Sequence, residues 1–423
     1  MFLLNVGYRW SHVDIGDVRG AVFIPSRMLH GRIAEVGALR LRQRVLDPQL
    51  YLCGLDADEC SKVCVNLASH PWFISDVPTY DSETFGRREW VEQARGAIAT
   101  AWTGDVPTDS AISVTCHHAI AAQDAAEFSE ILLPAPLISE REDEAATLGA
   151  WLDAGLNVVE ELEIDRPVLA TVVVHEGLIN SSAFRATGIL ATIADQVAAR
   201  DGVTGAYIGV AQTTNRHPFQ LPRDVARAYA RLVKLFARAG FEYIVVNFAD
   251  LFGYVCTGLG ATMFATGPSH NLRRLSTEGF KDQGGGKAFP HFYSHPMAAE
   301  LRTEGDLDRI VDARLVRRTR DTTDFSRNLM AELGRGGSAR NLRAWAESQS
   351  NTTAAQSHYI ARLATLGTEQ VARSAEERAD VVRDWLDEAT ANQLLLTRRL
   401  RGEPHGELAP VAEWTEIFDE FSA

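Results

Sequence analysis

The chain has 423 residues, with 42 lysines and arginines against 56 aspartates and glutamates, for a formal net charge of −14. That balance excludes a protein that coats nucleic acid through overall basicity, and 46% hydrophobic with 23% charged residues excludes wholesale disorder. Five cysteines (Cys53, Cys60, Cys64, Cys116 and Cys256) read as reduced thiols of a soluble, cytoplasmic protein. No run of about 18 apolar residues offers a membrane span. The segment Met1–Arg9 lacks the basic and long apolar regions of a secretory signal.

In chain order, eight near-continuous apolar runs predict strands at 21–26, 50–55, 112–117, 131–137, 168–175, 206–212, 243–248 and 261–266. Runs apolar on both faces suit parallel strands covered by helices. Helical spacing predicts helices at 88–102, 142–161, 181–200 and 223–239, the last ended by Gly240. The expected fold class is therefore α/β, with a (β/α)8 barrel over residues 1–305; a doubly wound sheet is the other arrangement of the same units. The Gly-rich loop at 279–296 closes that region. From 306 to 423 the apolar pattern turns helical, giving an expected helical C-terminal extension without further strands. Ser374 and Glu377 there have the spacing of a capping box.

Barrel enzymes carry their chemistry at the C-terminal ends of the strands, so the candidates are the polar residues that follow each run. His117 ends the third. His175 and Glu176 end the fifth, where a carboxylate beside an apolar wall suits acid/base work. Gln212 follows the sixth, and Asn247 and Asp250 the seventh. Asp81 lies in the long excursion after the second. These give Glu176 and Asp250 as acid/base or nucleophile, His117 and His175 as proton carriers, and Gln212 and Asn247 as substrate contacts. The stretch Thr266–Arg274 runs from a strand end through Gly267, Pro268 and Ser269 into a helix start bearing Arg273. Backbone N–H groups and a guanidinium there predict an anion site at Gly267, Ser269 and Arg273.

No metal is assigned. His117, His175 and Asp250 are the set that could converge on an ion. Cys53, Cys60, Cys64 and His70 form C-x6-C-x3-C-x5-H, which is not a zinc spacing. The cofactor is left open. Tyr293 and the histidines at 291 and 295, after the Gly-rich loop, suit a lid.

The stretch Asp81-Ser82-Glu83-Thr84-Phe85 is similar to the Asp-Ser-Gly-Gly-Phe base-site motif of the tRNA-guanine transglycosylase group, with both glycines replaced. Ala265-Thr266 followed by Arg273 resembles that group's last barrel strand. The resemblance implies a barrel over about 18–305, with Asp250 as the nucleophile by position. The family's clustered zinc cysteines have no counterpart, since no cysteine follows Cys256.

The function expected from all this is a barrel enzyme acting on a phosphate- or ribose-bearing small molecule or nucleotide. The alternatives are nucleobase exchange on nucleic acid and a non-catalytic barrel subunit, compatible with a homo-oligomer. Residues 306–343 hold nine arginines against six acids. That local excess would face a nucleic acid or an acidic protein.

Overall fold

A computed structural model of the chain describes residues 1–7, 16–33, 41–55, 59–73, 109–139, 142–180, 188–214, 216–282, 288–349, 351–400, 402 and 404–422. Eight parallel strands form one sheet: β1 (Phe2–Val6), β2 (Gly20–Phe23), β3 (Gln43–Leu46), β4 (Ile131–Leu133), β5 (Val168–His175), β6 (Gly205–Ala211), β7 (Tyr243–Asn247) and β8 (Met263–Thr266). The strand order is β3-β2-β1-β8-β7-β6-β5-β4, a ring in which neighbours pair throughout except across β3 and β4. That seam carries no ladder. It is held by the Ser129 N–H donating to the Arg44 carbonyl (2.8 Å), the Arg44 N–H donating to Ser129 Oγ (2.9 Å), the Arg44 guanidinium donating to the Glu127 carbonyl (2.7 Å), and a bond from Gln43 to Glu130. The expected α/β barrel is present, closed but for this line.

Six of the eight predicted strands are strands. The run at 50–55 is instead a short 3-10 turn, Leu50–Leu52, and the run at 112–117 lies within a helix, Asp109–Ala125. The reason is visible in the pattern: Ile112, Cys116, Ala119, Ile120 and Gln123 are buried at helical spacing. Their places in the ring are taken by β1 and β3. The predicted helix at 88–102 lies outside the described residues, and that at 181–200 is a helix over Ile189–Ala198 in its described part.

The outer helices pack one stripe inward. On Arg223–Arg238, Val225, Tyr229, Leu232, Val233 and Phe236 are buried and the arginines face out. Tyr229 reaches through to the sheet, where its hydroxyl accepts from the Val210 N–H (2.8 Å) and donates to the Asn247 carbonyl (2.9 Å). Gly205 in β6 stands where a Cβ would lie 2.2 Å from the Tyr243 carbonyl oxygen of β7.

A second, smaller core follows the barrel. Strands β9 (His291–Ser294), β10 (Ala299–Arg302) and β11 (Glu407–Leu408) form an antiparallel sheet, so the expectation that no strand follows residue 306 is corrected by β11. Phe292, Met297, Leu301, Leu307, Leu333, Trp345 and Leu396 are buried together against it. The helices Thr353–Val371, Ala375–Leu400 and Val411–Ser422 also reach back to the barrel core through Tyr359, Trp385 and Trp414. Ser374 and Glu377 make the capping box, with reciprocal bonds of 2.8 and 3.2 Å. Among the described residues no helix is long and apolar enough to cross a membrane.

Candidate active site at the barrel mouth

Inside the C-terminal half of the barrel, polar side chains from four strands and strand ends meet. Asn5 of β1 donates to Asn247 Oδ1 of β7 (2.7 Å), and Asn247 donates to the hydroxyl of Tyr207 on β6. The Tyr207 hydroxyl donates to Asp47 Oδ2 (2.7 Å), just past β3. The Tyr51 hydroxyl donates to the same oxygen, and the Gln49 N–H donates to Oδ1 (3.1 Å). Asp47 has no exposed surface. Burial pushes its carboxyl up to about 6, against the hydrogen bonds of Tyr51 and Tyr207. The same burial, with the Asp47 charge beside them, holds both tyrosines protonated.

Above this network lies a cavity of about 290 Å³, walled by Leu50–Leu55, Pro136, Leu137, Ser139, His175, Ala211, Leu275, Thr277 and Phe280. These residues end or follow β3, β4, β5, β6 and β8, so this is the barrel mouth, and its walls are mostly apolar. Tyr51 belongs both to the wall and to the Asp47 network. The His175 Nδ1 accepts from the Gly177 N–H (3.1 Å), so a neutral ring carries its proton on Nε2. Arg27, after β2, lies against the Phe280 ring at 4.8 Å. It donates to the Gly279 carbonyl (3.3 Å) and leaves a buried Nε without a partner. Burial lowers its pKa to about 10, and among the described residues no carboxylate pairs with it.

A second constellation sits beyond the ends of β7 and β8. Phe248 and Asp250 both hold left-handed backbone, with φ of 58° and 47°. Non-glycine residues pay strain there, and such strain gathers at functional sites. Asp250 Oδ1 accepts from Thr266 Oγ1 (3.1 Å) and from the Tyr359 hydroxyl, while Oδ2 is buried without a partner. Burial pushes this carboxyl up, against Arg273 and Tyr359. The Arg273 guanidinium lies over the Tyr359 ring at 3.8 Å, donates through Nε to the Gly267 carbonyl (3.1 Å), and pairs with Glu300 of β10. Burial opposes the Glu300 charge, but Arg273, His217 and His270 hold its carboxyl well below the usual range.

The structure thus brings Asn247, Asp250, Gly267 and Arg273 together at the ends of β7 and β8. Ser269 lines a neighbouring cavity. His175, Glu176 and Gln212 form a second group at β5 and β6. Glu176 opens the helix Glu176–Asn180 and its Oε1 accepts from the Thr213 N–H (2.6 Å). Gln212 Oε1 accepts from Arg274 Nε (2.9 Å). His117 sits on the outer helix Asp109–Ala125, not at a strand end, because its run is helical. It therefore joins neither group, nor His175 and Asp250 as a metal set. Asp81 lies outside the described residues, as does the rest of the transglycosylase-like motif. The cysteines Cys53, Cys60 and Cys64 are buried and not disulfide-bonded, and His70 stacks on Trp72 with its Nε2 donating to the Met28 carbonyl (3.1 Å).

Sequence reasoning passed over Asn5, Asp47, Tyr51, Tyr207, His217, Glu300 and Tyr359. A signal existed for two of them: Asn5 interrupts an apolar run, and Asp47 directly follows Val45-Leu46. Comparison of the chain with models of protein families, with curated proteins and with solved structures gives no match.

Proposed function

We propose that the chain is a (β/α)8-barrel enzyme that transfers a proton on a small, anion-bearing molecule held at the barrel mouth. The observation that carries this reading is the buried Asp47 carboxyl, with a pKa near 6, hydrogen-bonded to a tyrosine that lines the cavity. A carboxylate poised near neutrality both takes and returns protons, and desolvated carboxylates at strand ends are favoured for that work. In this reading Tyr51 relays the proton between Asp47 and the ligand, and His175 keeps its own proton and donates a hydrogen bond from Nε2 to orient the ligand. Arg27 is the cation available to a phosphate or carboxylate, and the apolar walls hold the remainder of a compact substrate. Glu176 and Gln212 position the loop after β6. The phosphate-bearing small molecule or nucleotide expected from the sequence stays the substrate class, with Arg27 as its support.

The test is a thermal-shift screen of phosphorylated and carboxylated small molecules, followed by proton NMR of each hit in D2O with the enzyme. Arg27→Ala is expected to weaken binding of a hit at least tenfold. Asp47→Asn and Tyr51→Phe are expected to keep binding and lose solvent exchange or turnover. A hit bound equally well by Arg27→Ala, or turned over normally by Asp47→Asn, overturns the reading.

The same carboxyl has a consequence for stability. Its folded pKa lies above the ordinary 3.8, so the folded state holds the proton more tightly than the unfolded chain. Its contribution is full below about pH 4 and falls by about 3 kcal/mol as pH rises through 6. Glu130 at the seam, pushed by burial to about 7, adds a similar slope. Urea midpoints of the native protein and Asp47→Asn from pH 4 to 8 separate the two. The variant is expected to lose part of the decline between pH 4 and 6 and to keep that between 6 and 7.

A nucleobase-exchange reading has one observation in its favour, the unpartnered Oδ2 of Asp250 as a nucleophile. Incorporation of labelled free base into RNA by the native protein, absent in Asp250→Asn, would favour it over proton transfer at Asp47.

A further inference from the structure

The loop after β6, the turn after β8 and strand β10 bring His217, His270 and Glu300 together, with one ligand-type atom from each within 4.8 Å of the others. The His217 Nε2 lies 3.0 Å and the His270 Nε2 3.7 Å from Glu300 Oε2. Ligands of a tetrahedral ion with bonds near 2.0–2.2 Å stand roughly 3.4 Å apart, so this spacing needs little adjustment. The other Glu300 oxygen is held by Arg273, which fixes the carboxylate and leaves Oε2 for the third partner.

The cluster borders a cavity of about 340 Å³ whose wall includes His270, Glu300, Ser269 and His291. His291 Nδ1 donates to the Phe289 carbonyl (3.2 Å), which leaves its Nε2 as a bare lone pair. A carbonyl that fixes the tautomer in this way is the usual outer partner of a metal-bound histidine.

We propose that His217, His270 and Glu300 bind one divalent transition-metal ion, with the remaining coordination positions open to this cavity, which His291 also lines. Two imidazoles and one carboxylate suit Zn²⁺ or its first-row neighbours more than the oxygen-seeking Mg²⁺ or Ca²⁺. Binding displaces the proton that His217 shares with Glu300. It also places the remaining ring proton on Nδ1, so the Phe219 N–H contact to that atom, now 3.3 Å, must open. One long backbone contact is a small cost against three metal–ligand bonds. Glu300 was reached by no sequence motif, because its partners lie 83 and 30 residues before it in the chain.

The experiment strips the full chain with a chelator, restores Zn²⁺ alone, and reads stoichiometry by elemental analysis and affinity by competition with a chromogenic chelator. The native protein is expected to bind one ion per chain and to gain melting temperature on binding. His270→Ala, on a half-exposed side chain, is expected to lower affinity at least tenfold without loss of fold, and His217→Ala to do the same. Absence of a stoichiometric ion in the native protein overturns the proposal. So does equal affinity in native and His270→Ala, which would place the ion elsewhere. Because the readout is binding, a negative result for proton transfer at Asp47 leaves it standing, and the reverse holds too.

Discussion

Arg273→Met is expected to cost about 3–5 kcal/mol of unfolding free energy, measured by denaturant titration of the chelated protein. The Arg273 guanidinium is 3% exposed and is the main counter-charge of Glu300, itself 4% exposed, with Asp250 close enough to feel the same charge. Removing it leaves the Glu300 carboxylate in a dry environment with only imidazoles to answer it, and takes from Asp250 the main charge that opposes its burial. It also removes the donor to the Gly267 carbonyl and the cation over Tyr359. The double variant Arg273→Met/Glu300→Leu is expected to regain most of the loss, because a buried ion pair and an apolar pair of similar size are close in energy while a half-pair is not. A double variant no more stable than Arg273→Met would show that the cost comes from lost packing.

Gly205→Ala is expected to cost more than about 3 kcal/mol and to yield little folded protein. The added carbon would stand 2.2 Å from the Tyr243 carbonyl oxygen, 2.5 Å from Leu169 Cδ2 and 2.6 Å from Tyr243 Cβ. The first of these is backbone within the β6–β7 ladder, so it yields only if the pairing Gly205–Tyr243 separates. Gly334→Ala, with open space around its Cβ, is the matched control and is expected to be neutral or slightly stabilising. Circular dichroism and melting of both variants decide the matter.

The barrel was legible where strands were apolar from end to end. Val168–His175 matches its predicted limits, and Gly205–Ala211 and Tyr243–Asn247 differ by a residue at their ends. Strand β3 was not, since Gln43 and Arg44 are half-buried at the seam and only Val45 and Leu46 are enclosed. Strand β1 was hidden because the opening residues were weighed only as a targeting signal. The price of missing β3 was Asp47, since a strand that is not seen has no end to inspect. The run Ile112–His117 is β-branched enough to pass for a strand, yet its buried positions continue at helical spacing to Gln123, and the longer window decides. In the second constellation Asp250, Gly267 and Arg273 were legible as strand-end residues, but for Tyr359 no local pattern existed. Tyr359 lies in a helix of the C-terminal region, and its hydroxyl meets Asp250 across 109 residues.

The open seam between β3 and β4 has a mechanical consequence. A ring closed by ladders all round changes bore only if every strand tilts, whereas a split ring widens at its slit. The slit here is bridged by two backbone-anchored hydrogen bonds between Ser129 and Arg44, by the Arg44 guanidinium on the Glu127 carbonyl, and by one side-chain pair, Gln43 with Glu130. The mouth cavity straddles it: Leu50–Leu55 follow the strand on one side, and Pro136, Leu137 and Ser139 follow the strand on the other. The clasp lies at the entry ends of the two strands, with Gln43 and Arg44 opening β3 and Ser129 and Glu130 preceding β4, so the slit is pinned at the end of the barrel opposite the chamber that faces Tyr51.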